Sequence, residues 1–141
     1  MNKKILIASD HAGFDLKQKL IEQMPKDIFE NLGTNSLEMV DYTDYANELA
    51  GRISKNNNKK GILICGTGVG MSVAANKFKN IRAGLVYNSE VAKLIREHND
   101  ANILVLPGGY MDIHEAKKCV DNFLSSSFEG GRHARRVNKI I

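Results

Sequence analysis

The chain has 141 residues, 43% hydrophobic and 26% charged, the composition of ordinary globular material at the commonest size for one domain. Its net charge of +4 is localised: residues 1–129 hold 16 basic and 16 acidic side chains, and the surplus is Arg132, Arg135, Arg136 and Lys139. A duplex binder spreads roughly six or more basic contacts over a face, and a membrane span needs about 18 consecutive apolar residues, so neither a nucleic-acid partner nor a membrane is expected.

The start Asn2-Lys3-Lys4 leads into only Ile5 to Asp10 before a charge, too short for a secretory signal. A first strand is predicted over 4–9 (KILIAS). A helix follows over 14–24, where Leu16, Leu20, Ile21 and Met24 share a face and Pro25 stops the run. A second strand, 27–31 (DIFEN), precedes the longest loop, 32–42, and a helix over 43–57 that runs into the polar turn Asn56-Asn57-Asn58-Lys59-Lys60. Strand 61–65 (GILIC), helix 69–78, strand 81–86 (IRAGLV), helix 89–97, strand 102–106 (NILVL) and helix 112–124 complete the alternation. The last helix opens on Asp112 and Glu115, the outline of a capping box, ahead of Ile113, Ala116, Val120, Phe123 and Leu124. Apolar strands alternating with helices predict an α/β fold: a Rossmann-like, doubly wound sheet of five parallel strands with helices on both faces, a C-terminal helical tail, and one domain over 1–141. Cys65 and Cys119 form no CxxC and are too few for a disulfide framework, which with the missing signal predicts a cytoplasmic protein.

Open α/β sheets bind ligands at the carboxyl ends of their strands. The first strand ends in Ser9-Asp10-His11-Ala12-Gly13, where Ser9 or Asp10 could simply cap the next helix or where Asp10 and His11 could form an acid–imidazole pair at a site edge. The third strand runs into Cys65-Gly66-Thr67-Gly68-Val69-Gly70-Met71-Ser72. Its alternating glycines let backbone N–H groups approach an anion, although it is neither a Walker A loop nor a GxGxxG fingerprint. Cys65, last in the strand and beside a helix start, stands where a reactive thiolate is expected, unless it is a small buried apolar residue; Thr67 could bond that sulfur or a substrate. Cys119 lies mid-helix and reads as core. His98 ends the fourth helix, where it could merely complement the helix dipole, and His114 reads as surface. Arg132 and Arg136 are four apart and on a helix could fork onto one phosphate, with Arg135 solvated. No pair has zinc-type spacing, so no metal is expected. The set suits proton abstraction beside a carbonyl of a small phosphorylated substrate, chemistry that needs no cofactor.

Seven blocks in order also resemble the ribose-5-phosphate isomerase B family: Ser-Asp-His-Ala-Gly at 9–13, Asp-Tyr at 41–42, residues 61–72, Ala-Ala-Asn-Lys at 74–77, Ile-Arg-Ala at 81–83, His-Asn-Asp-Ala-Asn at 98–102 and Phe-Glu-Gly-Gly-Arg-His at 128–133. The resemblance implies a metal-independent aldose–ketose isomerase interconverting ribose 5-phosphate and ribulose 5-phosphate in the pentose phosphate pathway. It implies Cys65 as the base, with Thr67 beside it, His98 as the acid for ring opening and Asp10 at the ring oxygen. Gly66, Thr67, Gly68, Val69 and Gly70, with Ser72, match the enediolate loop, Asn99 a sugar-hydroxyl contact, His11, Arg132 and Arg136 the phosphate contacts, and Tyr42 a ring-facing tyrosine. It further implies a homodimer or dimer of dimers, each site completed across the interface by the His98-Asn99 segment. Two positions depart from the pattern: Gly109 stands where the family usually has a phosphate-binding arginine, and Thr43 where it usually has proline. Relatives that use a glutamate base carry it in the loop, where Val69-Gly70-Met71 offers none. The missing arginine keeps a six-carbon substrate such as allose or galactose 6-phosphate open, and a non-catalytic sugar-phosphate- or nucleotide-binding module is the alternative of another class.

Overall fold

The computed structural model describes residues 4–56 and 58–141; the start at Asn2-Lys3 and Asn57 of the predicted 43–57 helix lie outside the described residues. The elements are β1 (Ile5–Ser9), α1 (Phe14–Gln23), β2 (Phe29–Asn31), α2 (Tyr42–Lys55), β3 (Gly61–Cys65), α3 (Val69–Ala75), β4 (Ala83–Leu85), α4 (Ser89–Asn99), β5 (Ile103–Pro107), α5 (Ile113–Ser125) and α6 (Arg132–Val137). All five strands are parallel, in the order β2-β1-β3-β5-β4.

That order explains which face each helix takes. A right-handed crossover puts its helix on one face when the chain steps one way along the sheet and on the other when it steps back. Accordingly α1, α4 and α5 bury Leu16, Leu20, Ile95, Cys119, Val120 and Phe123 against Ile7, Ile62, Ile64, Leu104 and Leu106. On the opposite face α2 and α3 bury Leu49, Ile53, Met71 and Ala75 against Leu6, Leu63, Ile103 and Val105. Reversal of direction between β1 and β3 makes their carboxyl ends the switch point where such sheets bind ligands. No helix among the described residues is long and apolar enough to cross a membrane.

Several boundaries differ from the expected ones. The edge strands β2 and β4 are three residues each, not the predicted 27–31 and 81–86, because Asp27 and Asn80 turn into positive φ before them. Helix α3 stops at Ala75 rather than residue 78: Asn76 leaves it to pair its side-chain amide with both the N–H and the C=O of Ala83, extending the exposed edge of β4. Asp112 does cap α5, accepting the Glu115 N–H at 2.9 Å, but the Glu115 carboxylate accepts the Ser89 N–H at 2.6 Å instead of closing the box. Helix α4 continues past residue 97 to Asn99, so His98 and Asn99 are helical, and the turn comes at Asp100 with φ 50°.

Candidate active site

At the carboxyl end of the sheet three turns pack into one floor. Asp10 is buried and its Oδ1 accepts the Gly13 N–H at 3.0 Å, so it does brace the start of α1 while leaving its second oxygen free. His11 Nδ1 accepts the Val40 N–H at 3.2 Å, which fixes the ring and leaves Nε2 for a ligand. Cys65 is a free, buried thiol-bearing residue at the end of β3, one position beyond the Ser9–Ile64 pair of the ladder and therefore beside Asp10. The β3–β5 ladder continues past the strands: Gly108 N–H donates to Cys65 O and Gly109 N–H to Gly66 O, both at 2.8 Å.

The glycine loop turns at Gly68, whose φ of 80° is left-handed and whose missing Cβ makes room for Leu85. Thr67 Oγ1 accepts the Val69 N–H at 3.2 Å, turned into the loop rather than onto the Cys65 sulfur, and its carbonyl accepts the Tyr87 hydroxyl at 2.8 Å. Among the described residues the N–H groups of Thr67, Gly68 and Gly70 donate to no backbone or side-chain acceptor. They are open to an anion at this end of the sheet; α3, with seven residues, is shorter than the sequence suggests. The Tyr42 ring lies over Gly70, where a Cβ would fall 2.6 Å from Cε1. Val69 and Ser72 border the loop on α3. At Gly109 a Cβ would sit 3.1 Å from Gly66 O, so this position braces the loop through its backbone. Cys119 is core, its thiol pushed up to about 12 by burial, and His114 is exposed.

The remaining candidates assemble elsewhere. His98 stacks on His133, ring centroids 4.2 Å apart and 9° from parallel. The Nε2 atoms of both approach Glu129 Oε1, at 4.0 and 3.5 Å, and Glu129 N–H donates to Glu97 O at 3.0 Å, tying the tail to α4. Burial, then the neighbouring His98 and Arg132, push His133 below the ordinary imidazole range. Asn99, Arg132 and Arg136 are exposed, the two arginines on α6, as is Arg135.

These two groups face opposite ends of the sheet. Asp100 leads into β5, which enters beside Gly61 and leaves beside Cys65, four residue steps or about 13 Å later. One chain therefore does not bring Cys65 to His98: the residues alone list them in one site, whereas the resemblance implies that the His98-Asn99 segment comes from another copy. Sequence reasoning missed His133 and Glu129 as partners of His98, the Tyr87 brace, and the arginines around Asp100. Glu129 and His133 did stand in the block at 128–133, spaced i and i+4 across a glycine pair, which was the signal for the first two.

The family model described as Ribose/Galactose Isomerase matches residues 5–140. A Mycoplasma pneumoniae protein named probable ribose-5-phosphate isomerase B is 49% identical over 144 residues, covering 100% of this chain and 95% of the relative. A solved ribose 5-phosphate isomerase of Thermotoga maritima superposes with a TM-score of 0.90 at 49% identity, covering 99% and 97% of the two chains. Ribose-5-phosphate isomerase B of Mycoplasma genitalium, solved with bound ribulose-5-phosphate, superposes with a TM-score of 0.90 at 44% identity, covering 98% and 93%. With the family model spanning nearly the whole sequence and the fold shared end to end, the chain belongs to the ribose/galactose isomerase family.

Proposed function

We propose that this protein interconverts D-ribose 5-phosphate and D-ribulose 5-phosphate by proton transfer through an enediolate, as a cytoplasmic enzyme of the pentose phosphate pathway. The observation that carries the reading is a free thiol at the end of β3 beside a loop of unengaged backbone N–H groups. A base and preset oxyanion donors are what moving a proton between the two carbons beside a carbonyl requires. The relative crystallised with ribulose-5-phosphate supports the substrate.

In this mechanism His98 and Asp10 assist opening of the furanose ring, protonating and deprotonating its oxygens. Cys65, as thiolate, takes the C2 proton of the open aldose and returns it to C1. Thr67, Gly66, Gly68, Val69 and Gly70 hold the enediolate oxygens, with Ser72 nearby. Tyr42 covers the sugar, Asn99 bonds a hydroxyl, and His11, Arg132 and Arg136 take the phosphate. Because Cys65 and His98 lie at opposite ends of one chain, the working site forms between two copies of the single domain 1–141, in a homodimer or dimer of dimers. The α4–α6 end of one copy covers the carboxyl end of the other's sheet.

The purified protein is expected to interconvert the two pentose phosphates with no added metal. Cys65→Ala is expected to lower kcat at least about a hundredfold, the lower range for a general base. Full activity in that variant overturns the choice of base. Faster turnover of allose or galactose 6-phosphate than of ribose 5-phosphate overturns the substrate.

A further inference from the structure

The end of the sheet opposite Cys65 holds a cavity of about 350 Å³ that the isomerisation does not use. Three of its walls stand one position before a strand: Lys60 before β3, Arg82 before β4 and Asn102 before β5. Lys59 and Arg96, the latter from the last turn of α4, complete a set of four cations facing a single carboxylate, Asp100.

That carboxylate is fully engaged. Arg96 Nη1 donates to its Oδ1 at 2.9 Å, and Arg82 Nη2 approaches Oδ2 at 3.4 Å while Arg82 Nε donates to the Asp100 carbonyl at 2.7 Å. The positive charge is not otherwise matched. Among the described residues neither Lys59 nor Lys60 makes an ion pair, and Arg96, only 8% exposed, keeps an Nε with no acceptor. Burial and the adjacent Arg96 push Lys60 below the ordinary lysine range. A partly buried surplus of cations is costly without a counter-charge. The lining is entirely polar, with no aromatic or aliphatic side chain for a nucleobase or lipid. Its volume falls at the small end of ligand pockets, roughly 300 to 1,000 Å³.

We propose that this cavity binds a phosphoryl dianion, free or carried on a small polar metabolite, on Lys59, Lys60, Arg82 and Arg96, and that occupancy slows the isomerase. The link runs through Asp100, whose left-handed turn directly follows His98 and Asn99. An anion drawing Arg82 and Arg96 toward itself loosens their hold on that turn. The binding stands on the cavity alone; the effect on rate rests on the role of His98 given above.

Titration calorimetry with inorganic phosphate, on full-length protein carrying His11→Ala, Arg132→Ala and Arg136→Ala to remove the three catalytic phosphate contacts, is expected to show one phosphate bound per chain. Replacing both lysines by glutamine, which keeps their stems, is expected to weaken it at least about tenfold, the loss of one charge-assisted hydrogen bond. No binding to that triple variant, or equal binding after the glutamine changes, overturns the site. Tighter binding of glycerol phosphate than of phosphate assigns a metabolite as the occupant, and weaker binding assigns the free ion. In the unmodified enzyme, part of the inhibition by phosphate is expected to persist at saturating sugar phosphate and to vanish in the glutamine pair. Inhibition that substrate relieves completely overturns the link to His98, and failure of the isomerase reading leaves the calorimetry untouched.

Discussion

Mixing two dead variants tests whether a site is shared between copies. Cys65→Ala disables the carboxyl end of the sheet and His98→Asn the far end of α4, positions separated along β5 by about 13 Å within one chain. Each homodimer is expected to be inactive. In a two-fold heterodimer one site collects both substitutions, and the other is built from an intact Cys65 and an intact His98. If equal amounts exchange freely, half the dimers are mixed and each has one good site of two, so the mixture recovers about a quarter of the unmodified activity. The assay is isomerisation of ribose 5-phosphate after mild co-denaturation and refolding, with each variant treated alone as control. Recovery of only the summed residual activities would refute the shared site, since groups combined within one chain cannot complement. Recovery well above a quarter would refute the assignment of one Cys65 and one His98 to each site.

Gly68→Ala is expected to cost about 1 to 2 kcal/mol from the left-handed backbone, and more from pushing Leu85 aside; a lower melting temperature with a larger fall in kcat is the readout. Lys17, fully buried with its Nζ on Asn31 Oδ1 at 2.9 Å, has its pKa lowered from 10.5 to about 8 by burial. Between those values the unfolded chain holds the proton that the folded one releases, so stability rises from pH 8 to pH 10.5 by roughly 3 kcal/mol. Denaturant unfolding of Lys17→Met should lack that slope and be more stable near neutral pH. His133 is disfavoured as a cation, so its contribution is present above the unfolded imidazole range and lost as pH falls through the lower folded value. Hydrogen exchange in α6 should quicken in that acid window, and a flat profile would count against the stack.

Much of this arrangement was readable in advance, for physical reasons. Strands β3 and β5 are buried along their whole length, so their apolar runs carry an unambiguous signal. Asp10 and Cys65 fall at the switch point, Asp10 directly after the apolar run of β1 and Cys65 at the end of that of β3, each leading into a turn that contains glycine. Helix ends fared worse where side chains replaced the usual punctuation: Asn76 stops α3 by pairing with β4, and Asp100 takes the left-handed turn that glycine usually marks. Placing β5 between β3 and β4 is a long-range choice that no local pattern encodes. What sets His98 and Cys65 at opposite ends is the shared direction of the five strands, with His98 just before β5 and Cys65 last in β3, so a site written as one list of residues divides into two halves in space.

The two hydrogen bonds that carry the β3–β5 ladder beyond the strands, from Gly108 and Gly109 to the carbonyls of Cys65 and Gly66, bear on the kinetics of turnover. They hold the loop beside the thiol as part of the sheet, so its donors need no reorganisation when charge develops. Cys65 and Gly66, fixed in this way, cannot swing as a lid, and in the proposed two-copy site closure over the sugar falls to the other copy. On that proposal turnover waits on no movement of Cys65 or Gly66, and the rate is expected to follow the association of the two copies.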